Sequence, residues 1–135
     1  MLTYPPDTRI AQSLVIEARP TKGQLEARLT ALYFGKRRAE ARSTDRAHDL
    51  TLDVFDLVIA ETKVEITCRQ IEDVEVELIA FAHELESHMR NEERIERIVA
   101  RLRIFCGDRE FELEQLHRKL MYLIRDRDRL EWVTN

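Results

Sequence analysis

The feature that most limits this chain is its lack of backbone punctuation. After Pro20 there is no proline, and after Gly35 the only glycine is Gly107. Proline removes an amide donor and clashes inside a helix, and glycine is the other common breaker of regular structure. A chain that avoids both over such a length is built to continue one kind of element. Its apolar residues say which kind.

Between Arg46 and Arg90, one stripe comprises Leu50, Val54, Leu57, Val64, Cys68, Ile71, Leu78, Ala82, Leu85 and Met89. The steps alternate between four and three, with Glu61 and Glu75 filling two intervening positions, which is the signature of a heptad seam. A second stripe, Leu52, Phe55, Ile59 and Ile66, lies round the side in the N-terminal half only. The first half is therefore expected to be covered on two sides and the second half on one. Two windows, 63–69 and 73–78, alternate apolar and β-branched residues with polar ones and read in isolation as strands. The intervening Gln70-Ile71-Glu72 has no glycine, proline or asparagine for a tight turn, and the heptad passes through both windows in phase. Helix is the expected state throughout.

Asn91 is the expected reversal point, able to adopt left-handed geometry or to cap a helix whose first turn holds Glu92 and Glu93. Beyond it, Ile95, Val99, Leu102, Cys106, Leu113, Leu116, Leu120, Leu123 and Leu130 keep the same rhythm, with Arg109 and Arg127 as polar interruptions. Gly107-Asp108 offers a stop and restart, yet the register is kept across it, so one helix is expected. Helices over 46–90 and 92–132 would each be about 60–68 Å long at 1.5 Å per residue. Matched lengths and a short connection predict an antiparallel, coiled-coil-like hairpin.

Ahead of it, Tyr4-Pro5-Pro6 is an extended lead-in. A short helix is expected over Thr8–Ala18, carrying Ile10, Ala11, Leu14, Val15 and Ala18 on one face and stopped by Pro20. Thr21 can cap a second helix with Leu25, Leu29, Leu32 and Tyr33 on one face and Gly35 as a weak point. Ser43-Thr44-Asp45, three N-cap residue types in a row, marks the break before the long helix. The expected fold is all-α: a single domain, 1–135, with short helices in 1–45 packed on the N-terminal half of a hairpin in 46–132.

Charge is distributed unevenly. Residues 1–46 hold nine basic and five acidic side chains, residues 47–88 two and eleven, and residues 89–135 eleven and ten. A basic head thus precedes an acidic helix, and the two are expected to attract each other or partners of opposite sign. No apolar run approaches the roughly 20 residues of a membrane span, and the first residues show neither the basic nor the apolar part of a secretory leader. Cys68 and Cys106 are too few for a disulfide scaffold and match no zinc spacing; they read as core thiols in a reducing, cytoplasmic compartment.

The candidate chemistry is thin. His83 and His88 are five apart, not the four that places two zinc ligands on one helix face, while Glu84 and His88 read as a solvated pair. Glu114-Gln115-Leu116-His117 matches the Glu-x-x-His unit of di-iron bundles, with Asp45-Arg46-Ala47-His48 as a poor second unit and Glu61 and Glu75 as further carboxylates. Salt bridges from Glu61 and Glu75 to Arg109 and Arg127 across the seam account for the same residues without metal. Lys36-Arg37-Arg38 with Arg42 and Arg46 is a basic cluster whose nucleic-acid reading is weakened by the absence of interleaved aromatics and by the chain's net charge of −4. Neither a catalytic residue nor a cofactor is assigned.

The expected function is therefore a non-catalytic scaffold, adaptor or assembly factor. It would form a homodimer or small oligomer and bind another protein through helix–helix contacts. The candidate interface comprises Leu57, Val64, Ile71, Leu78, Phe81, Leu85, Met89, Ile95 and Ile98, with the far half of the hairpin, from Phe81 to Ile98, left uncovered. A metal-carboxylate bundle is the first alternative, and nucleic-acid binding through Lys36–Arg46 the weaker one.

Overall fold

A computed structural model describes residues 19–42 and 46–134, with backbone only for 46–48. The expected helix over 8–18 and the Ser43-Thr44-Asp45 break lie outside the described residues. Among the described residues the fold is all-helical, with three helices: α1 (Lys22–Glu40), α2 (Arg46–Arg90) and α3 (Glu96–Thr134). Both windows with strand-like alternation belong to α2, and α3 runs through Gly107 without a break.

Thr21 starts α1 as expected, by a reciprocal pair of hydrogen bonds. Its side-chain oxygen accepts from the Gln24 amide at 3.1 Å, and its own amide donates to Gln24 Oε1 at 2.9 Å. This capping box satisfies two amides that a helix start leaves without intrahelical partners. Arg37 and Arg38 occupy the last turn, where the helix dipole favours cations.

The turn between α2 and α3 corrects the expected start of the last helix. Glu92 and Glu93 are not in its first turn; α3 begins at Glu96. Asn91 Oδ1 accepts from the Glu93 amide at 3.1 Å, which holds residues 91–93 in an Asx turn. The Ile95 carbonyl then accepts from the Ile98 and Val99 amides at 2.9 and 3.1 Å and opens the helix. No described residue has positive φ, so the reversal uses the asparagine side chain and not left-handed backbone.

α2 is the middle layer. It packs against α1 on one side and α3 on the other, while α1 and α3 make no close backbone approach to each other. The α3 seam is the expected one from Val99 on: Val99 and Leu102 are buried, and Cys106, Arg109, Leu113, Leu116, Leu120, Leu123, Arg127 and Leu130 are half-buried, whereas Ile95, ahead of the helix, is exposed. Facing them on α2 are Leu57, Val64, Ile71, Leu78 and Leu85, also as expected. The alternate positions differ. The covered residues are Ala60, Thr67, Val74, Phe81 and His88, three along from each of those five; of the set four along, Glu61, Glu75, Ala82 and Met89 are exposed and Cys68 is half-buried, and Leu50 and Val54, which open the expected stripe, are exposed as well.

Glu61 and Glu75 are therefore not seam carboxylates, and the expected bridges to Arg109 and Arg127 are replaced by others. Arg109 Nη1 crosses to Glu77 at 2.9 Å, and Arg127 pairs with its neighbour Asp128 at 3.2 Å. The physical reason is that a buried carboxylate is costly while Ala60, Thr67 and Val74 are not. The two threonines are accommodated because Thr62 and Thr67 donate to the Val58 and Lys63 carbonyls at 2.7 and 2.9 Å.

The second stripe behaves as expected, with Ile59 and Ile66 buried under α1 and Leu52 and Phe55 half-buried. Gly35 acquires a packing reason here. A Cβ at that position would lie 2.8 Å from Cε1 of Phe55, whereas one at Gly107 meets nothing within 4 Å. Glycine inside a helix costs about 0.5–1 kcal/mol relative to alanine. Gly107→Ala should therefore stabilise the fold by that amount in urea unfolding, while Gly35→Ala should lose the gain to the Phe55 clash and recover it in combination with Phe55→Leu.

The shifted seam gives a second test. Val74→Glu should cost about 3 kcal/mol or more, and Glu75→Leu, one residue on, should stay within about 0.5 kcal/mol of the parent. The reverse order would restore the carboxylate seam.

Candidate functional site

A cleft runs along one flank of α2, walled by α1 and α3. Tyr33 and Lys36 come from α1; Asp56, Ile59, Ala60 and Lys63 from α2; and Leu123, Asp126, Arg129 and Leu130 from α3. Ile59, Ala60, Leu123 and Leu130 give it an apolar floor because each is a stripe residue of its own helix. The rim is charged because the positions beside a stripe must reach water.

Those rim charges are largely paired within the chain. Lys36 Nζ lies 2.5 Å from Asp56 Oδ1 and 3.9 Å from Glu40 Oε1. The hydrogen bond to Asp56 holds the Lys36 ammonium above its ordinary value, against the opposing effect of burial. Lys63 Nζ stands 5.6 Å from the centroid of the Tyr33 ring, within cation–π range. Arg129 reaches Asp126 at 3.8 Å. Charge and aromatic contact thus join α1 to α2 in the cleft, while on its α3 side Arg129 and Asp126 pair with each other.

The basic cluster is split by this arrangement. Lys36 docks on the acidic helix, Arg37, Arg38 and Arg42 are exposed, and the side chain of Arg46 lies outside the described ones. The carboxylate alternative is not assembled. Glu61, Glu75, Glu114 and His117 are all exposed, and Glu61 stands about 21 Å from Glu75 along α2 at 1.5 Å per residue. Glu114 is engaged by Arg118 at 2.8 Å. Among the described residues there is no group of three or more metal-ligating side chains; the Asp45–His48 unit lies outside them. His88 Nε2 is 4.0 Å from Glu84, and His83 is exposed.

The nine candidate interface residues divide by burial. Val64 and Ile71 are buried, Leu57, Leu78, Phe81, Leu85 and Ile98 are half-buried, and Met89 and Ile95 are exposed. The far half is not bare: Phe81 and Phe105 pack with ring centroids 5.3 Å apart, and Val99 and Leu102 are buried. Besides Met89, Ile95 and Phe105 in this half, other large apolar side chains are left to water. On α3, Ile104 is 61% exposed and Phe111 65%, and their spacing of seven puts them on one outward face. On α2, Val76 and Ile79 are 67% and 68% exposed. Sequence reasoning passed over these four because it followed the seam. The available signal was a large apolar residue at a position the heptad assigns to solvent.

No helix among the described residues is long and apolar enough to cross a membrane.

Because Lys36 is raised by pairing, its contribution to stability is full below its ordinary value near 10.5 and is lost as pH rises through its folded value. A double-mutant cycle of Lys36→Met and Asp56→Asn should give a coupling of about 0.5–1 kcal/mol. That coupling should stay constant between pH 7 and about pH 10 and fall at more alkaline pH. A coupling that vanishes near neutral pH would assign the contact to another charge.

No family model, no curated protein and no solved structure matches this chain.

Proposed function

We propose that this chain is a non-catalytic scaffold or adaptor that oligomerises and binds protein partners by helix–helix packing. In this reading α2 and α3 act as an antiparallel, coiled-coil-like hairpin, and the outward face of α3 at Ile104 and Phe111 carries the contact between copies. The supporting observation for the contact is the exposure of these two residues, 61% and 65%, on one face of a single helix. Large apolar side chains grouped in water favour association. Support for the antiparallel pairing comes from the contacts themselves, since Glu77 meets Arg109 and Phe81 meets Phe105, with residue numbers running in opposite senses.

Arg118 and Arg125 continue that face of α3 at the same spacing of seven and are exposed, so an acidic helix would complement it. The acidic α2 of a second copy supplies such a helix. The same reading places the protein in the cytoplasm, where the two thiols, unpaired in this chain, stay reduced.

Size-exclusion chromatography with light scattering, run over a range of concentrations, tests this reading. The expected mass is twice 16.0 kDa or a higher multiple, falling to that of one chain in the double variant Ile104→Glu/Phe111→Glu. A parent that stays at one chain's mass at every concentration overturns the reading. So does a double variant that keeps the oligomer.

A further inference from the structure

Two rows of side chains on different helices match in spacing and in chemistry. On α3, Ile104, Phe111, Arg118, Arg125 and Trp132 are seven apart and all exposed, Trp132 at 86%. On α2, Val58, Glu65, Glu72, Ile79 and Glu86 are also seven apart; the first two are half-buried and the other three exposed. At about 100° per residue, Ile79 is turned roughly 140–160° from Ile59 and Ile66 beneath α1, and by the same amount from Val74 and Phe81 in the α3 seam. Around Ile79 the row thus lies on a third side of α2, turned from both neighbours. Each step of seven drifts by only about 20°, so each row keeps to one side of its helix.

We propose that the α2 row of one copy receives the α3 row of the next, antiparallel, so that the contact between copies is heterologous. This rests on the oligomer reading and names the surface that α3 meets. Laid with Ile79 on Phe111, the two rows set Glu72 on Arg118, Glu65 on Arg125 and Val58 on Trp132. Glu86 on Ile104 is the one mismatch, and Glu86 keeps its own partner Arg90. A parallel pairing on the same Ile79–Phe111 contact would carry Trp132 past Arg90, the end of α2.

Charge opposes pairing of either row with itself. The α3 row on a second α3 row, with Ile104 on Phe111, brings Arg97 against Arg118. The α2 row on a second α2 row, centred on Ile79, brings Glu72 against Glu86. Like charges so placed disfavour both arrangements, whereas the mixed pairing joins opposite signs. Glu72 and Arg118 now pair within the chain, with Arg19 and with Glu114, at exposed sites where such pairs contribute little. Exchanging them across a contact is therefore inexpensive. Each copy uses one row per contact and keeps the other free, so the assembly is a head-to-tail chain or a ring.

The test is light scattering on chains that each lose one row: Ile79→Glu, and the double variant Ile104→Glu/Phe111→Glu. All three positions are exposed, and circular dichroism checks that each variant stays helical. Each alone is expected at the mass of one chain. An equimolar mixture is expected at the mass of two and no more, because one chain keeps its α3 row and the other its α2 row. Glu72→Arg and Arg118→Glu should each weaken association at least about tenfold, and the two together in one chain should restore it.

An Ile79→Glu chain that keeps the parent's mass, while the double variant drops to one chain, overturns this inference and leaves the oligomer reading standing. A mixture that stays at one chain's mass overturns it too, as does a charge exchange without recovery. A parent at one chain's mass at every concentration overturns both.

Discussion

The structure depends on the middle third of α2 being buried from two sides. From Ile59 to Val74 this helix carries Ile59, Thr62 and Ile66 toward α1 and Ala60, Val64, Thr67, Ile71 and Val74 toward α3, all of them buried. Neither outer helix approaches the other, so neither has an alternative place to hide its stripe. A helix serving two partners needs two apolar stripes separated by polar flanks. Lys63 and Asp56 on one such flank line the charged cleft.

Much of this was legible in the sequence because helix periodicity is a strong signal when no proline interrupts it. Leu52, Phe55, Ile59 and Ile66 named the second covered side correctly, and the α3 seam held from Val99 to Leu130, though not at Ile95, which is exposed ahead of the helix. The boundaries of α2 also held, since Arg90 is followed by the one asparagine suited to end it. The start of α3 was not legible. Glu92 and Glu93 resemble a first helical turn, but the Asn91 side chain takes the Glu93 amide for a turn of its own.

The alternate seam positions show where periodicity runs out. Counting four from Leu57, Val64, Ile71, Leu78 and Leu85 gives Glu61, Cys68, Glu75, Ala82 and Met89; counting three gives Ala60, Thr67, Val74, Phe81 and His88. Both flanks are partly apolar, and a period of 3.6 accommodates either. Only the energy of burial separates them, and two glutamates on one flank should have decided the matter. That misreading also produced the carboxylate alternative, because Glu61 and Glu75 seemed to face inward. The cleft beside α2 was out of reach, since Lys36, Lys63 and Arg129 come together only through the pairing of all three helices.

The paired residues of α2 and α3, 81 with 105 and 77 with 109, have a consequence for how the molecule forms. Each contact farther from the turn at residues 91–95 closes a longer loop, so the pair zips from that end at a steadily rising cost in chain entropy. The last contacts to form, around Ala60 and Leu130, are the first to open. It is over this opening end that α1 lies, held by Lys36 on Asp56 and by Gly35 against Phe55. The short helix is in effect a clasp, placed where a zipper of two long helices would otherwise begin to undo.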